Sequence, residues 1–199
     1  MAAVLIVLGY LAGSVPSGLL LGRRAGIDVR RHGSGNIGAT NVARSAGTLL
    51  GLATLVADAA KGALPVLLAR ALDGRPAVAI AAGVAAFVGH VFPITLRFAG
   101  GKGVATALGV LVTIAPLALL CALVVFALTF LLTRYVSLAS ILAAIAAPVA
   151  IAALGYPRST LAAGVVMSAI IAVRHRENVA RLRTGTEPRF GLPKKQAAP

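Results

Sequence analysis

A single lysine, Lys102, lies among three glycines in AGGKGVAT (residues 99–106), at the head of a run of 31 residues, 103–133, that carries no charge. Where an apolar helix begins just past glycines, its first amides lack intrahelical partners and its dipole presents a positive end. Glycines let that backbone approach an anion, and the ammonium adds a full charge, so the stretch has the composition of a phosphate cradle. It is not a Walker A loop, because Gly103 stands where Ser or Thr must follow the lysine. A flexible loop with one orienting lysine is the competing reading.

Two further stretches are rich in donors and nearly empty of carboxylates: HGSGNIGATNVAR (32–44) and RHRENVARLRTGTEPRF (174–190). In the first, Gly alternates with Ser, Asn and Thr, which fits a tight loop opening a short helix toward Arg44; such a loop presents amides and hydroxyls to a phosphate or an alcohol. A plain turn with a helix cap would read the same way. In the second, His175, Asn178 and Leu182 fall at i, i+3 and i+7, on one helical face beside a membrane exit. A surface helix gripping anionic headgroups is the alternative there. Short loops between spans need positive charge, yet they have no such need for Asn36, Thr40, Asn41, His175 or Asn178.

Asp58 and Lys61 lie i, i+3 within an apolar segment. Charges inside a membrane are costly and usually paired, so this pair is either functional or a structural ion pair. His90, just before Phe92 and Pro93, reads as a structural histidine.

The elements that must position these groups are membrane helices. Of 199 residues 59% are hydrophobic and 12% charged, against about 25% charged in a soluble domain. A span needs about 20 apolar residues, and the sequence predicts helices over 2–22, 47–69, 76–96, 103–115, 116–133, 137–154 and 158–173, with polar segments 23–46, 97–103 and 174–199. Splitting the 103–133 run into two helices near Thr113 to Pro116 gathers 15 of the 19 Lys and Arg on one side, where a single helix would strand the basic tail opposite. The positive-inside tendency therefore favours seven helices in an all-α integral membrane protein, N-terminus outside and C-terminus cytoplasmic. Gly9, Gly13 and Ser17 recur every four residues, a spacing that suits close helix approach in lipid. The formal charge of +14 is spread over loops without aromatic interleaving, which points to orientation and anionic lipid rather than nucleic acid. Cys121 is the only cysteine, so an internal disulfide is excluded.

The chemistry is bounded by scarcity. Asp28, Asp58, Asp73, Glu177 and Glu187 are the only acids, too few and too scattered for a carboxylate-built divalent-metal site. The residues five after His32, His90 and His175 are Ile37, Thr95 and Ala180, so a His-x-x-x-x-Asp acyltransferase arrangement is missing, and no G-x-S-x-G elbow appears. What remains is a cationic, amide-rich pocket at the membrane surface. It suits transfer between a phosphorylated, lipid-like donor and a small phosphorylated acceptor. A small transporter for a phosphorylated solute, with Asp58 and Lys61 as a coupling pair, is the alternative.

SGNIGATN, GHVFPITLRFAGGKGVAT and RHRENVARLRTGTE, in this order and with the D-x-x-K-G of Asp58 to Gly62 between the first two, resemble the signature motifs of the bacterial acyl-phosphate-dependent glycerol-3-phosphate 1-O-acyltransferase family. The resemblance covers nearly the whole chain. It implies a seven-helix enzyme of the bacterial inner membrane, with its active site on the cytoplasmic side, that moves a fatty acyl group from acyl phosphate to the 1-position hydroxyl of glycerol 3-phosphate. The implied products are lysophosphatidic acid and inorganic phosphate. No cofactor, metal or obligatory protein partner is implied. The residues it singles out are Ser34, Gly35, Asn36, Thr40, Asn41 and Arg44, then Gly101, Lys102, Gly103 and Thr106, then His175, Asn178 and Glu187, with Asp58 and Lys61 in support. Within that set, Lys102, Ser34, Arg44, His175 and Asn178 are expected to act on the substrates directly.

Overall fold

A computed structural model describes residues 1–191; Lys194 and Lys195 of the basic tail lie outside the described residues. The described chain is all-helical. Helices α1 (Ala2–Gly13) and α2 (Ser17–Arg24) open it, and α3 (Ala39–Ala46) leads into α4 (Thr48–Leu72) and α5 (Pro76–Val91). Then come α6 (Val104–Ile114), α7 (Pro116–Thr133), α8 (Val136–Ala153), α9 (Arg158–Arg174) and α10 (Arg176–Arg183). Among the described residues five segments are long and apolar enough to cross a membrane: Ala2–Arg24, Thr48–Leu72, Pro76–Leu96, Pro116–Thr133 and Val136–Ala153. Large apolar side chains such as Leu49, Leu131, Leu132 and Val149 stand exposed on the outer faces of these helices, as lipid contact requires.

The segment expected as one helix over 2–22 is two, because Pro16 cannot donate a backbone hydrogen bond and the chain breaks at Ser14–Pro16. The carbonyls freed there find side chains: Thr95 Oγ1 donates to Ser14 O at 2.6 Å and Lys61 Nζ to Val15 O at 2.7 Å. Pro93 likewise ends α5 before residue 96, leaving a short 3-10 turn at Ile94–Leu96. The uncharged run divides at Ala115, with Pro116 starting α7. At 11 residues, α6 extends only about 16 Å.

Packing depends on small residues. A Cβ on Gly9 would stand 2.5 Å from Ala82 O, and one on Gly13 2.0 Å from Ala86 O, so α1 lies backbone to backbone along α5. Gly62 meets Thr106 O and Gly109 meets Ala59 O in the same manner, closing α6 onto α4. With lipid as solvent, such close packing replaces the hydrophobic drive of a soluble core. Its consequence is positional: α6 starts with the glycine loop held at the same end of the bundle as α3 and α10.

Candidate active site

At that end the three donor-rich stretches meet around a cavity of about 1700 Å³. Ser34, Asn36 and Thr40 line one wall, Lys102 and Gly103 another, and His175, Asn178 and Glu187 a third. From this polar mouth the cavity continues between α6, α7, α8 and α9, past Leu108, Leu119, Leu123, Ala144 and Met167 to Gly164. Along α9, the stretch from His175 to Gly164 covers roughly 16 Å of helix. A smaller recess of about 250 Å³, lined by Ser34, Gly35, Asn36, Gly100, Lys102, Arg174, Glu177 and Arg181, adjoins the mouth. Ser34, Asn36, Lys102 and Arg181 border both spaces. The molecule thus offers a long apolar channel and a small polar recess with a common cationic wall.

The glycine loop is built by exclusion of side chains. Gly103 takes a left-handed φ of 84°, and a Cβ there would stand 2.3 Å from the Phe87 ring. The Gly101 amide donates to His90 O at 3.1 Å. From the opposite side Arg174 donates to Gly100 O at 2.8 Å and to Gly101 O at 3.2 Å. Lys102 projects from this clamped loop and donates to Asn178 Oδ1. Asn178 in turn donates through Nδ2 to Glu187 Oε1 at 2.7 Å, and Arg181 Nε pairs with Glu187 Oε2 at 2.7 Å. Glu187 is 6% exposed, so its charge is compensated within this network.

Burial pulls the Lys102 ammonium down to about 8, opposed in part by the Glu187 carboxylate. His175 is 3% exposed, and burial together with the neighbouring Lys102 charge pulls its imidazole down to about 4. Its Nδ1 lies 2.8 Å from Ile171 O, which fixes the tautomer: Nδ1 carries the proton and the Nε2 lone pair is free. Burial pushes the Glu187 carboxyl up, but the hydrogen bonds from Asn178 and Arg181 outweigh it and hold the group below its usual range.

Not every residue singled out by sequence reaches the cavity with a free group. Asn41 lines the wall, but Oδ1 accepts from the Ser34 amide at 2.8 Å and Nδ2 donates to Val29 O, His32 O and Asn36 O. That amide holds the 29–36 loop in shape. Asn36 Oδ1 accepts from the Gly38 amide at 2.7 Å, closing the turn that opens α3. Arg44 sits at the rim, donating to Pro188 O at 3.2 Å with its guanidinium 6.0 Å from the Phe190 ring centre. Thr106 is wholly buried against α4 and does not line the cavity. Asp58 does line it, paired to Lys61 at 2.9 Å.

A family model for glycerol-3-phosphate acyltransferase matches residues 3–185. A glycerol-3-phosphate acyltransferase of Geotalea daltonii is 51% identical over 187 residues, covering 94% of this chain and 96% of that protein. One from Agrobacterium fabrum is 49% identical over 190 residues, covering 95% and 92%. Crystal structures of PlsY (YgiH), an integral membrane glycerol 3-phosphate acyltransferase, superpose with a TM-score of 0.91 for the glycerol 3-phosphate form and 0.89 for the lysophosphatidic acid form. Both are 43% identical to this chain, and the first covers 96% of each chain.

The chain belongs to the glycerol-3-phosphate acyltransferase family.

As a glycerol-3-phosphate acyltransferase it is a membrane-bound acyltransferase, and its residues divide into those that face the cavity and those that shape it. Sequence reasoning overlooked Arg174 and Arg181. Both looked like orienting charges, yet one clamps the glycine loop and the other pairs with Glu187. Arg181 lies i+3 from Asn178, a spacing that does mark one helical face. Nothing in the sequence shows that Phe190 folds back, donating its amide to Arg134 O at 2.9 Å, its ring edge-on to Phe130.

Proposed function

We propose that this chain transfers a fatty acyl group from acyl phosphate to the 1-position hydroxyl of glycerol 3-phosphate. The observation that carries the reading is the common wall: Lys102, Ser34, Asn36 and Arg181 border both the long apolar channel and the polar recess. The acyl chain lies in the channel, and the acceptor phosphate occupies the recess. The reacting carbonyl then falls at the junction, beneath Lys102 and the first amides of α6.

The hydroxyl oxygen attacks the carbonyl carbon, the bond from that carbon to the phosphate oxygen breaks, and inorganic phosphate leaves. A mixed anhydride arrives activated, so neither a covalent enzyme intermediate nor an activating metal is needed. Lys102 and the α6 amides stabilise charge on the carbonyl oxygen and the departing phosphate. Ser34, Arg44, His175 and Asn178 orient the acceptor, and positioning of this kind supplies roughly 7–11 kcal/mol. A group with a pKa near 4 is a weak base at neutral pH, whereas a phosphate ester has a second pKa of about 6. The hydroxyl proton therefore passes to the donor phosphate, and His175 orients the acceptor without taking that proton.

In the bilayer α6 and α9 cross as well as the five long segments, giving seven, with the N-terminus outside and the site at the cytoplasmic surface, where 15 of 19 Lys and Arg collect. The host membrane is the bacterial inner membrane. The transporter alternative loses its coupling pair, since Lys61 is engaged at the α1–α2 break and Asp58 is tied to it. The test is purified protein in chelator with glycerol 3-phosphate and either acyl phosphate or acyl-CoA. Lysophosphatidic acid should form from acyl phosphate alone; formation only from acyl-CoA would overturn the reading.

A further inference from the structure

The Lys102 loop rests on the last turn of α5. Phe87 and His90, one turn apart, form a shelf: a Cβ on Gly103 would stand 2.3 Å from the Phe87 ring, and one on Gly101 2.2 Å from His90 Nε2. The His90 side chain is 4% exposed and lies at the cavity wall, yet its Nδ1 has no hydrogen-bond partner among the described residues. That nitrogen faces Asp58 Oδ1 at 3.7 Å, and the same oxygen lies 2.9 Å from Lys61 Nζ. Lys61 reaches on to Val15 O at the α1–α2 break. A chain of contacts thus runs from the broken first helix, through a buried ion pair, to the imidazole directly beneath Gly101.

This arrangement exceeds what stability asks for. A buried ion pair seldom outperforms apolar residues of equal volume, and a buried imidazole without a hydrogen bond is costly. A shelf built only to pack could have been leucine and phenylalanine. Asp58 gives the ring a fixed electrostatic partner, and so fixes the plane on which the Gly101 backbone sits.

We propose that His90 is a positioning residue: held by the Asp58–Lys61 pair, its ring sets the height of the Gly101–Lys102 backbone above the cavity floor, and with it the place where the Lys102 ammonium meets the substrate anion. The role of Lys102 in this statement rests on the acyl-transfer reading above.

The test is a double-substitution cycle on Gly101→Ala and His90→Ala, read in two ways. The first readout is acyl transfer from acyl phosphate. Gly101→Ala drives a methyl into the ring and should cost about 100-fold in kcat/KM, as a displacement near 1 Å does. His90→Ala should cost a similar factor by letting the loop sag. The double variant, with room for the methyl, should be at least about tenfold more active than the product of the two losses predicts. A histidine that only packs would recover thermal stability in the double variant while kcat/KM per folded molecule stayed at the product of the two losses. The second readout is the rate at which an amine reagent modifies Lys102, followed by peptide mass spectrometry and independent of turnover. It should rise in His90→Ala and fall back in the double variant. Should His90→Ala not accumulate, Gly101→Ala decides alone through the same two readouts. Additive losses, or a Gly101→Ala protein with unaltered transfer and unaltered labelling, overturn the proposal. A protein that transfers no acyl group but keeps the labelling pattern overturns the acyl-transfer reading and leaves the shelf standing.

Discussion

Lys102 donates its ammonium to the side-chain oxygen of Asn178, 76 residues further along the chain. The bond joins the glycine loop to α10, and it fixes the Asn178 amide: with Oδ1 occupied by a donor, Nδ2 must point to Glu187. A cation, an amide and a carboxylate therefore hold one another in a single orientation at the cavity mouth.

The first consequence concerns pH. Lys102 loses its proton at about 8 instead of about 10.4. If the charged form is required, kcat/KM is full below that value and falls as pH rises through it. In Lys102→Arg the guanidinium does not deprotonate, so whatever activity remains should stay level between pH 7 and 9.5. The pH profile of kcat/KM, which reports the free enzyme, checks both.

Glu187→Gln removes the carboxylate that holds Lys102 up against the effect of burial. The alkaline limb should then move to lower pH, with the activity at pH 6.5 less affected than that at pH 8. An unmoved limb would separate Glu187 from the electrostatics of Lys102.

His175 bears on stability as well as binding. Its folded pKa of about 4 lies below the ordinary 6.5, so between these values the unfolded chain binds more protons than the folded one. The contribution is complete above pH 6.5 and is lost as pH falls toward 4, by up to roughly 3 kcal/mol. Thermal unfolding from pH 7 to 4 should lose less in His175→Gln than in the wild-type protein. With the donor phosphate as base, the same variant should raise the KM for glycerol 3-phosphate more than it lowers kcat.

Asn41→Ala separates the residues that shape the cavity from those that face substrate. It leaves Val29 O and the Ser34 amide without partners in a tight loop, at a cost on the order of 3 kcal/mol in stability. Thr40→Ala, with no such bonds to lose, should change Tm little. Thermal unfolding in detergent compares the two.

The legibility of the sequence follows the same division. Periods of small residues and the punctuation of proline are local signals, and Gly9, Gly13 and Pro116 did mark close helix contact and a break. The donor-rich composition around Lys102, Ser34 and His175 was equally local, and these residues line one cavity. The break at Pro16 was less legible, because an apolar run hides a proline whose freed carbonyls are satisfied from residues 61 and 95. Arg174 reads only as a charge, and the spacing of Arg181 from Asn178 shows a shared helical face but no partner, since the partners at Gly100 and Glu187 are set by how the chain packs. Residue type shows that Asn41 can donate and accept; only the fold shows that both capacities are spent on the loop.

The central claim is that Lys102, raised on the glycine loop, stabilises the transferring group. Single-turnover acyl transfer from acyl phosphate to glycerol 3-phosphate by Lys102→Ala, at pH 7 and saturating substrates, tests it most directly. The account predicts a rate lower by about 100- to 1000-fold, equivalent to roughly 3–4 kcal/mol of lost transition-state stabilisation, in a protein that thermal unfolding shows to be still folded at the assay temperature. A Lys102→Ala protein that transfers at the wild-type rate would contradict it.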